Sequence, residues 1–202
     1  KSRPDWSFLM EESGKIEGKD PNRVFIVDPL DGTNNFLHGV PHWCTTIAAV
    51  EDGVITAGVT FDVVRNEIFW ATRGGGAFLG HKKLRVSGRK EPTMALAACS
   101  QPARGRREGD EFAKQMAKVS AEFSGLRSMH SAALDLAYVA AGRFDAYWDL
   151  ALKPWDLAAG ILLVQEAGGK VTEIDGGKDA LNSGSILAAN AALYQDMRKL
   201  LN

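Results

Sequence analysis

Val27-Asp28-Pro29-Leu30-Asp31-Gly32-Thr33-Asn34-Asn35-Phe36 is the stretch on which the reading of this 202-residue sequence turns. The apolar run Val24-Phe25-Ile26-Val27 before it has the make-up of a buried strand, and Asp28-Pro29 stops it at a polar loop. Asp28 and Asp31 stand three apart in a turn containing proline and glycine, so both carboxylates can face one point. An EF-hand is excluded, because it wants oxygen-bearing side chains at loop positions 1, 3 and 5 and Leu30 fills the third. A phosphatase with an Asp nucleophile and a second Asp two residues later fails at the same position.

Two further acidic positions join them: Glu11-Glu12 after the apolar Phe8-Leu9-Met10, and Asp156 after Trp155 at an expected helix start, with Asp149 seven residues before it. Each has an ordinary structural use. Asp28 can open a turn, Asp156 can cap a helix, and Glu11-Glu12 can be a solvated pair. Several carboxylates at the ends of apolar elements repel one another unless a cation joins them. All-oxygen donors favour Mg²⁺, Mn²⁺ or Ca²⁺ over Zn²⁺, which wants His or Cys.

Outward from this stretch, Trp43 to Val50 and Val54 to Phe61 are β-rich runs joined by Glu51-Asp52-Gly53, a hairpin signal. Glu67 to Thr72, Ala77 to Leu79 and a short Leu84-Arg85-Val86 extend the meander around Gly74-Gly75-Gly76. Met94 to Ser100, Leu126 to Met129, Phe144 to Leu150, Lys170 to Ile174 and Ser185 to Ala189 complete the expected strands. Helical spacing marks Asp110 to Phe123; Ser131 caps a helix through Gly142; Asp156 to Ala167 ends at Gly168-Gly169; Ala191 to Leu201 closes the chain. Without repeats or linkers, residues 1–202 are one α/β domain.

Composition narrows the function classes. The chain carries 24 Lys+Arg against 25 Asp+Glu, a net charge of −1, so no chain-wide basic field exists to hold nucleic acid or anionic lipid. The runs His81-Lys82-Lys83-Leu84-Arg85 and Arg104-Gly105-Arg106-Arg107 lack interleaved aromatics and are expected as solvated loops. No apolar run approaches the roughly 20 residues of a membrane helix. Cys44 and Cys99 are too few for a disulfide scaffold, which suits a reducing cytoplasm. Gly39 and Pro41 argue against His38 and His42 as a helical ligand pair.

Glu11-Glu12-Ser13-Gly14, Val27 to Phe36, and Trp155-Asp156-Leu157-Ala158-Ala159-Gly160 resemble, in order, the motifs of the inositol monophosphatase family of Mg²⁺-dependent, lithium-sensitive sugar phosphatases. Gly74-Gly75-Gly76-Ala77-Phe78 and Glu166-Ala167-Gly168-Gly169 carry the likeness from about Trp6 to the C-terminus. It implies a layered α-β-α-β-α sandwich and a cytoplasmic homodimer. The family's N-terminal helices, which usually precede Glu11 and supply an Asp partner for Thr33, have no match in a chain that begins Lys1-Ser2-Arg3.

The resemblance implies two or three Mg²⁺ ions, with Mn²⁺ as the alternative, held by Glu11, Asp28, Asp31, Asp156 and the Leu30 carbonyl. A metal-activated water attacks phosphorus directly, with Glu11 and Thr33 as the catalytic pair. Leu30, Asp31, Gly32, Thr33 and Asp156 contact the substrate, Gly32 and Thr33 through backbone N–H groups. His130, Ser131, Ala132 and Asp149 match the hydroxyl-binding positions, and Arg127 a basic position near the substrate or subunit interface. Two of these depart from the commonest pattern: His130 replaces a glycine, and Asp149 a glutamate. Asn34-Asn35-Phe36 resembles the inositol-monophosphatase branch, which puts myo-inositol 1-phosphate first and leaves another sugar or polyol phosphate, such as fructose 1,6-bisphosphate or histidinol phosphate, as the alternative. A regulatory partnership with the RNA-synthesis machinery is the alternative of another class.

Overall fold

The computed structural model describes residues 3–101 and 109–202. The basic run Arg104-Gly105-Arg106-Arg107 lies outside the described residues. In chain order, the first sheet is built from β1 (Trp6–Met10), β2 (Gly14–Ile16), β3 (Asp20–Asp31), β4 (Cys44–Glu51), β5 (Val54–Asp62), β6 (Glu67–Thr72), β7 (Gly76–Leu79) and β8 (Lys82–Lys83). Its spatial order is β2-β1-β3-β4-β5-β6-β7-β8, antiparallel except where β1 meets β3. The second sheet comprises β9 (Leu96–Cys99), β10 (Gly125–Ser128), β11 (Ala146–Asp149), β12 (Lys170–Thr172) and β13 (Ile186–Ala189), in the order β10-β9-β11-β13-β12. Helices are α1 (Thr33–Leu37), α2 (Gly109–Glu122), α3 (Ala132–Ala140), α4 (Pro154–Glu166), α5 (Ala180–Ser183) and α6 (Tyr194–Leu201).

Alternation along β4 and β5 places Cys44, Thr46, Ala48 and Val50 with Ile55, Gly58 and Thr60 on one buried face. Helices α3 and α4 fill the space between that face and the second sheet. Every residue of α3 is buried, which is why Ala-Ala-Leu-Asp-Leu-Ala-Tyr-Val-Ala shows no polar stripe. The two helices approach closely, since a Cβ at Gly160 would sit 2.6 Å from the Cβ of Leu136. On the far side of the second sheet, α2 and α6 cover Trp148 and Leu187 in a separate apolar cluster. The layers run sheet, helices, sheet, helices: an α/β sandwich with four of the five expected layers among the described residues. The outer face of the first sheet carries Phe25, Ile47, Val59, Ile68 and Trp70, with Ile47 37% and Ile68 47% exposed.

The β4–β5 hairpin turns on Asp52 (φ 51°) and Gly53 (φ 76°), a pair of left-handed residues matching the strand twist. Other expectations are corrected. No strand forms at Leu84-Arg85-Val86; Lys82 and Lys83 pair with β7 instead, and Leu84 turns into the core with its N–H on the Ala77 carbonyl. Met94 belongs to a 3₁₀ turn, Pro92–Met94, ahead of β9.

The largest difference lies in β3, which runs past Asp28 to Asp31 rather than ending at Pro29. Asp28 pairs with Thr46 and Asp31 with Cys44, so Pro29 and Leu30 together oppose Thr45. This is a bulge. Residues three apart in a regular strand point to opposite faces, and one extra residue brings both carboxylates to the inner face. Proline suits the bulge because it has no N–H to leave unpaired, and Thr45 donates its hydroxyl to the Pro29 carbonyl at 2.8 Å.

Candidate active site

The bulge delivers Asp28 and Asp31 to a point that Asp156 reaches from the first turn of α4. The three carboxylates each bring an oxygen to within 4.8 Å of the others. Each is held by one oxygen. Asp28 Oδ1 accepts the Leu30 N–H at 2.9 Å, and Asp156 Oδ2 the Lys153 N–H at 2.7 Å. Asp31 Oδ2 accepts the Ser131 hydroxyl at 2.6 Å and the Ala133 N–H at 2.9 Å. Asp28 Oδ2, Asp31 Oδ1 and Asp156 Oδ1 have no hydrogen-bond partner among the described residues. Such an arrangement fixes three side chains and leaves three oxygens for a ligand.

Its electrostatics call for a cation. Burial, then Asp31 and Glu11, push Asp28 up to about 8. Burial, then Asp31 and Glu11, push Asp156 up to about 7 against the Lys153 N–H. Burial also raises Asp31, opposed by Ser131, Ala133 and Cys44. Carboxylates that resist ionising together are the donor set of a hard divalent cation, whose charge removes the conflict. The residues fit Mg²⁺.

A pocket of about 260 Å³ opens above the cluster, lined by Glu11, Asp28, Leu30 to Asn34, Ser100, His130, Ala132, Leu152 and Asp156. Glu11 enters from the end of β1, exposed, its N–H on the Val27 carbonyl. Gly32 is left-handed (φ 91°), and a Cβ there would lie 3.1 Å from the His42 carbonyl oxygen, so the position requires glycine. Helix α1 starts at Thr33, whose hydroxyl donates to the Leu30 carbonyl at 3.0 Å.

Residues 130–132 form the opposite wall. His130 is a non-glycine residue in the left-handed region (φ 57°), with its imidazole 3.2 Å from the Ser128 hydroxyl. Ser131 occupies the N-cap position of α3, but its hydroxyl makes no cap bond and serves Asp31 instead. Asp149 does not line the pocket; it is buried at the end of β11, accepting the Tyr147 hydroxyl and the Leu150 N–H. Arg127 lies on edge strand β10, also outside the pocket.

Three residues near the site have roles that sequence reasoning did not find, two of them because a partner lies more than ninety residues away. His42 is buried and pairs with Asp135 of α3 at 2.9 Å. Asn35 donates its amide to two carbonyls, His42 at 2.7 Å and Met129 at 2.6 Å. Cys44 sits behind Asp31, Sγ to Oδ2 3.7 Å, where burial and that carboxylate hold its thiol well above the usual range.

Comparison with known proteins places this geometry. The model of the inositol monophosphatase family matches residues 1–202. An inositol-1-monophosphatase of Mesorhizobium japonicum is 47% identical over 199 residues, covering 98% of this chain and 75% of the relative. A Nus factor SuhB of Escherichia coli is 41% identical over 197 residues, covering 98% and 74%. The crystal structure of the extragenic suppressor protein suhB from Bartonella henselae superposes with a TM-score of 0.97 at 44% identity, covering all of this chain and 77% of that one.

Proposed function

The chain belongs to the inositol monophosphatase family and is a phosphatase, and on that premise we propose that it hydrolyses myo-inositol 1-phosphate, or a close inositol monophosphate, with Mg²⁺. The observation that carries this reading is the convergence of three carboxylates, each tied by one oxygen and open at the other. Asp28, Asp31 and Asp156, with Glu11 and the Leu30 carbonyl, would hold the metal. Bound there, Mg²⁺ supplies positive charge that acidifies water and offsets the charge of the phosphoryl oxygens.

The chain's own groups do the rest. Gly32 and Thr33 offer N–H groups at the start of α1 to phosphoryl oxygens. Glu11 accepts a proton as the water oxygen bonds to phosphorus, the phosphorus–oxygen bond to the alcohol breaks, the departing alkoxide takes a proton from solvent water, and phosphate and free alcohol leave. Ser131 and the Ala133 N–H keep Asp31 in place, and the His130 and Ala132 wall meets the alcohol. Asp149 acts from behind, as the buried support of the β11 end. Arg127 is assigned to the outer approach or a subunit contact. The test is phosphate release from a panel of phosphomonoesters, with and without Mg²⁺ and Li⁺. Inositol 1-phosphate should be turned over fastest, only with Mg²⁺, and more slowly with Li⁺; a faster reaction with fructose 1,6-bisphosphate or histidinol phosphate would reassign the substrate.

His130 gives a second expectation. A left-handed non-glycine residue costs about 1 kcal/mol that glycine does not. His130→Gly should therefore melt at or above the wild-type temperature while its rates across the panel converge. Unchanged relative rates would remove His130 from the substrate wall.

A single domain over residues 1–202, working as a homodimer in the cytoplasm, completes the proposal. One cooperative melt and a solution mass of two chains by light scattering would support the first two. No helix among the described residues is long and apolar enough to cross a membrane. Relatives named Nus factor SuhB favour one other reading, a regulatory role with the RNA-synthesis machinery. Stable binding of purified RNA polymerase by a catalytically dead variant would favour it.

A further inference from the structure

The two walls of the pocket come from distant parts of the chain, and something must fix the gap between them. One wall belongs to the first sheet: the β3 bulge, Gly32 and α1. The other is the turn from β10 into α3, carrying His130, Ser131 and Ala132. Asp31 joins them at the floor through Ser131 and Ala133. Nearer the rim, the amide of Asn35 on α1 donates to the Met129 carbonyl at 2.6 Å and to the His42 carbonyl at 2.7 Å. Both partners are acceptors, so the amide nitrogen, not its oxygen, faces them. His42 is itself fixed to α3 by its ring bond to Asp135. Asn35 thus grips the residue immediately before His130 from a rigidly held base.

We propose that Asn35 is a positioning residue of this phosphatase: its two amide hydrogen bonds set the distance between the phosphate-facing turn Gly32–Thr33 and the substrate wall His130–Ala132. Asn35 does not line the pocket. It acts through Met129, whose carbonyl belongs to the peptide that leads into the left-handed His130 of the pocket lining. The carboxylate cluster has its own bonds, to Leu30, Ser131, Ala133 and Lys153, so metal binding does not depend on this clamp. A wall displaced from the alcohol weakens its binding while the metal ligands and the attacked phosphorus stay in place, and partners one step removed from functional groups commonly carry 10- to 100-fold effects.

The inference rests on the reading above, and steady-state kinetics with myo-inositol 1-phosphate separates the two. Asn35→Ala at saturating Mg²⁺ should raise KM at least about tenfold, with kcat changed less than threefold and half-saturation by Mg²⁺ unchanged within threefold. A residue that only stabilises the fold would lower the melting temperature and leave KM of the folded enzyme alone, and that result overturns the proposal. Asn35→Ser retains one donor and should show the same split at smaller size, so a poorly folded alanine variant does not end the test. A wild-type enzyme without Mg²⁺-dependent phosphate release overturns the functional reading and this inference together; an active wild type with variants of unchanged KM overturns this inference alone.

Discussion

Asp31→Asn is expected to abolish Mg²⁺-dependent phosphate release, by at least about a thousandfold, while making the metal-free protein more stable. The activity loss follows from the loss of several kcal/mol of charge stabilisation at the phosphoryl group, since about 1.4 kcal/mol corresponds to tenfold in rate. The gain in stability follows from local geometry. Asparagine can keep its oxygen on the Ser131 hydroxyl and the Ala133 N–H, the bonds Asp31 makes at 2.6 and 2.9 Å. Its NH₂ then replaces a buried anion and faces Asp28 and Asp156 as a donor. Activity assays and thermal melts in EDTA on the same preparation check both. Turnover near the wild-type rate would remove Asp31 from the metal site, and a lower melting point would mean that repulsion in the cluster is not what the cation relieves. The same inactive protein is the reagent for the polymerase-binding experiment.

Mg²⁺ at a hundredfold excess over its dissociation constant at pH 8.5 is expected to raise the melting temperature of the wild type there by about 5–10 °C, and the same concentration to raise it less at pH 6. The sign follows from the raised carboxyls. Asp28 at about 8 and Asp156 at about 7 hold their protons far above the ordinary Asp value near 3.9. Without metal, the stability tied to their protonation is complete below about pH 4 and is lost as pH rises through about 7 and 8. The cation needs ionised ligands, so its binding displaces those protons and is weakened where they are held. Melting curves with EDTA and with Mg²⁺ across this range should diverge as pH rises. Parallel curves would show that these carboxylates do not bind the ion.

Much of this was legible from local signals. The Asp52-Gly53 turn declared the β4–β5 hairpin, and Gly168 (φ 85°) ended α4 as expected. The Asp28–Asp31 spacing was legible as a convergence but not as a bulge, because proline at position 29 reads as the end of a strand unless the pairing with β4 is known. Strands β1 and β2 escaped notice. Trp6 to Met10 has no clear alternation, and its strand conformation is imposed by β3 beside it. Ser131 was legible as a cap by position only; its hydroxyl is claimed by Asp31, a hundred residues away. The roles of Asn35 and His42 are likewise long-range, and periodicity reports only on neighbours along the chain.

The complete burial of α3 has a consequence in time rather than space. A helix with no solvent face and both ends tied into the core exchanges its amide hydrogens chiefly when the whole domain opens, whereas short exposed segments open alone. Ser131 and Ala133 therefore hold Asp31 on the slow clock of global unfolding. Helix α1 is five residues long with no buried residue, and keeps a faster one. Hydrogen exchange should therefore be slow along residues 132–140 and faster along 33–37, where the bonds of Asn35 to His42 and Met129 are what tie α1 to the substrate wall.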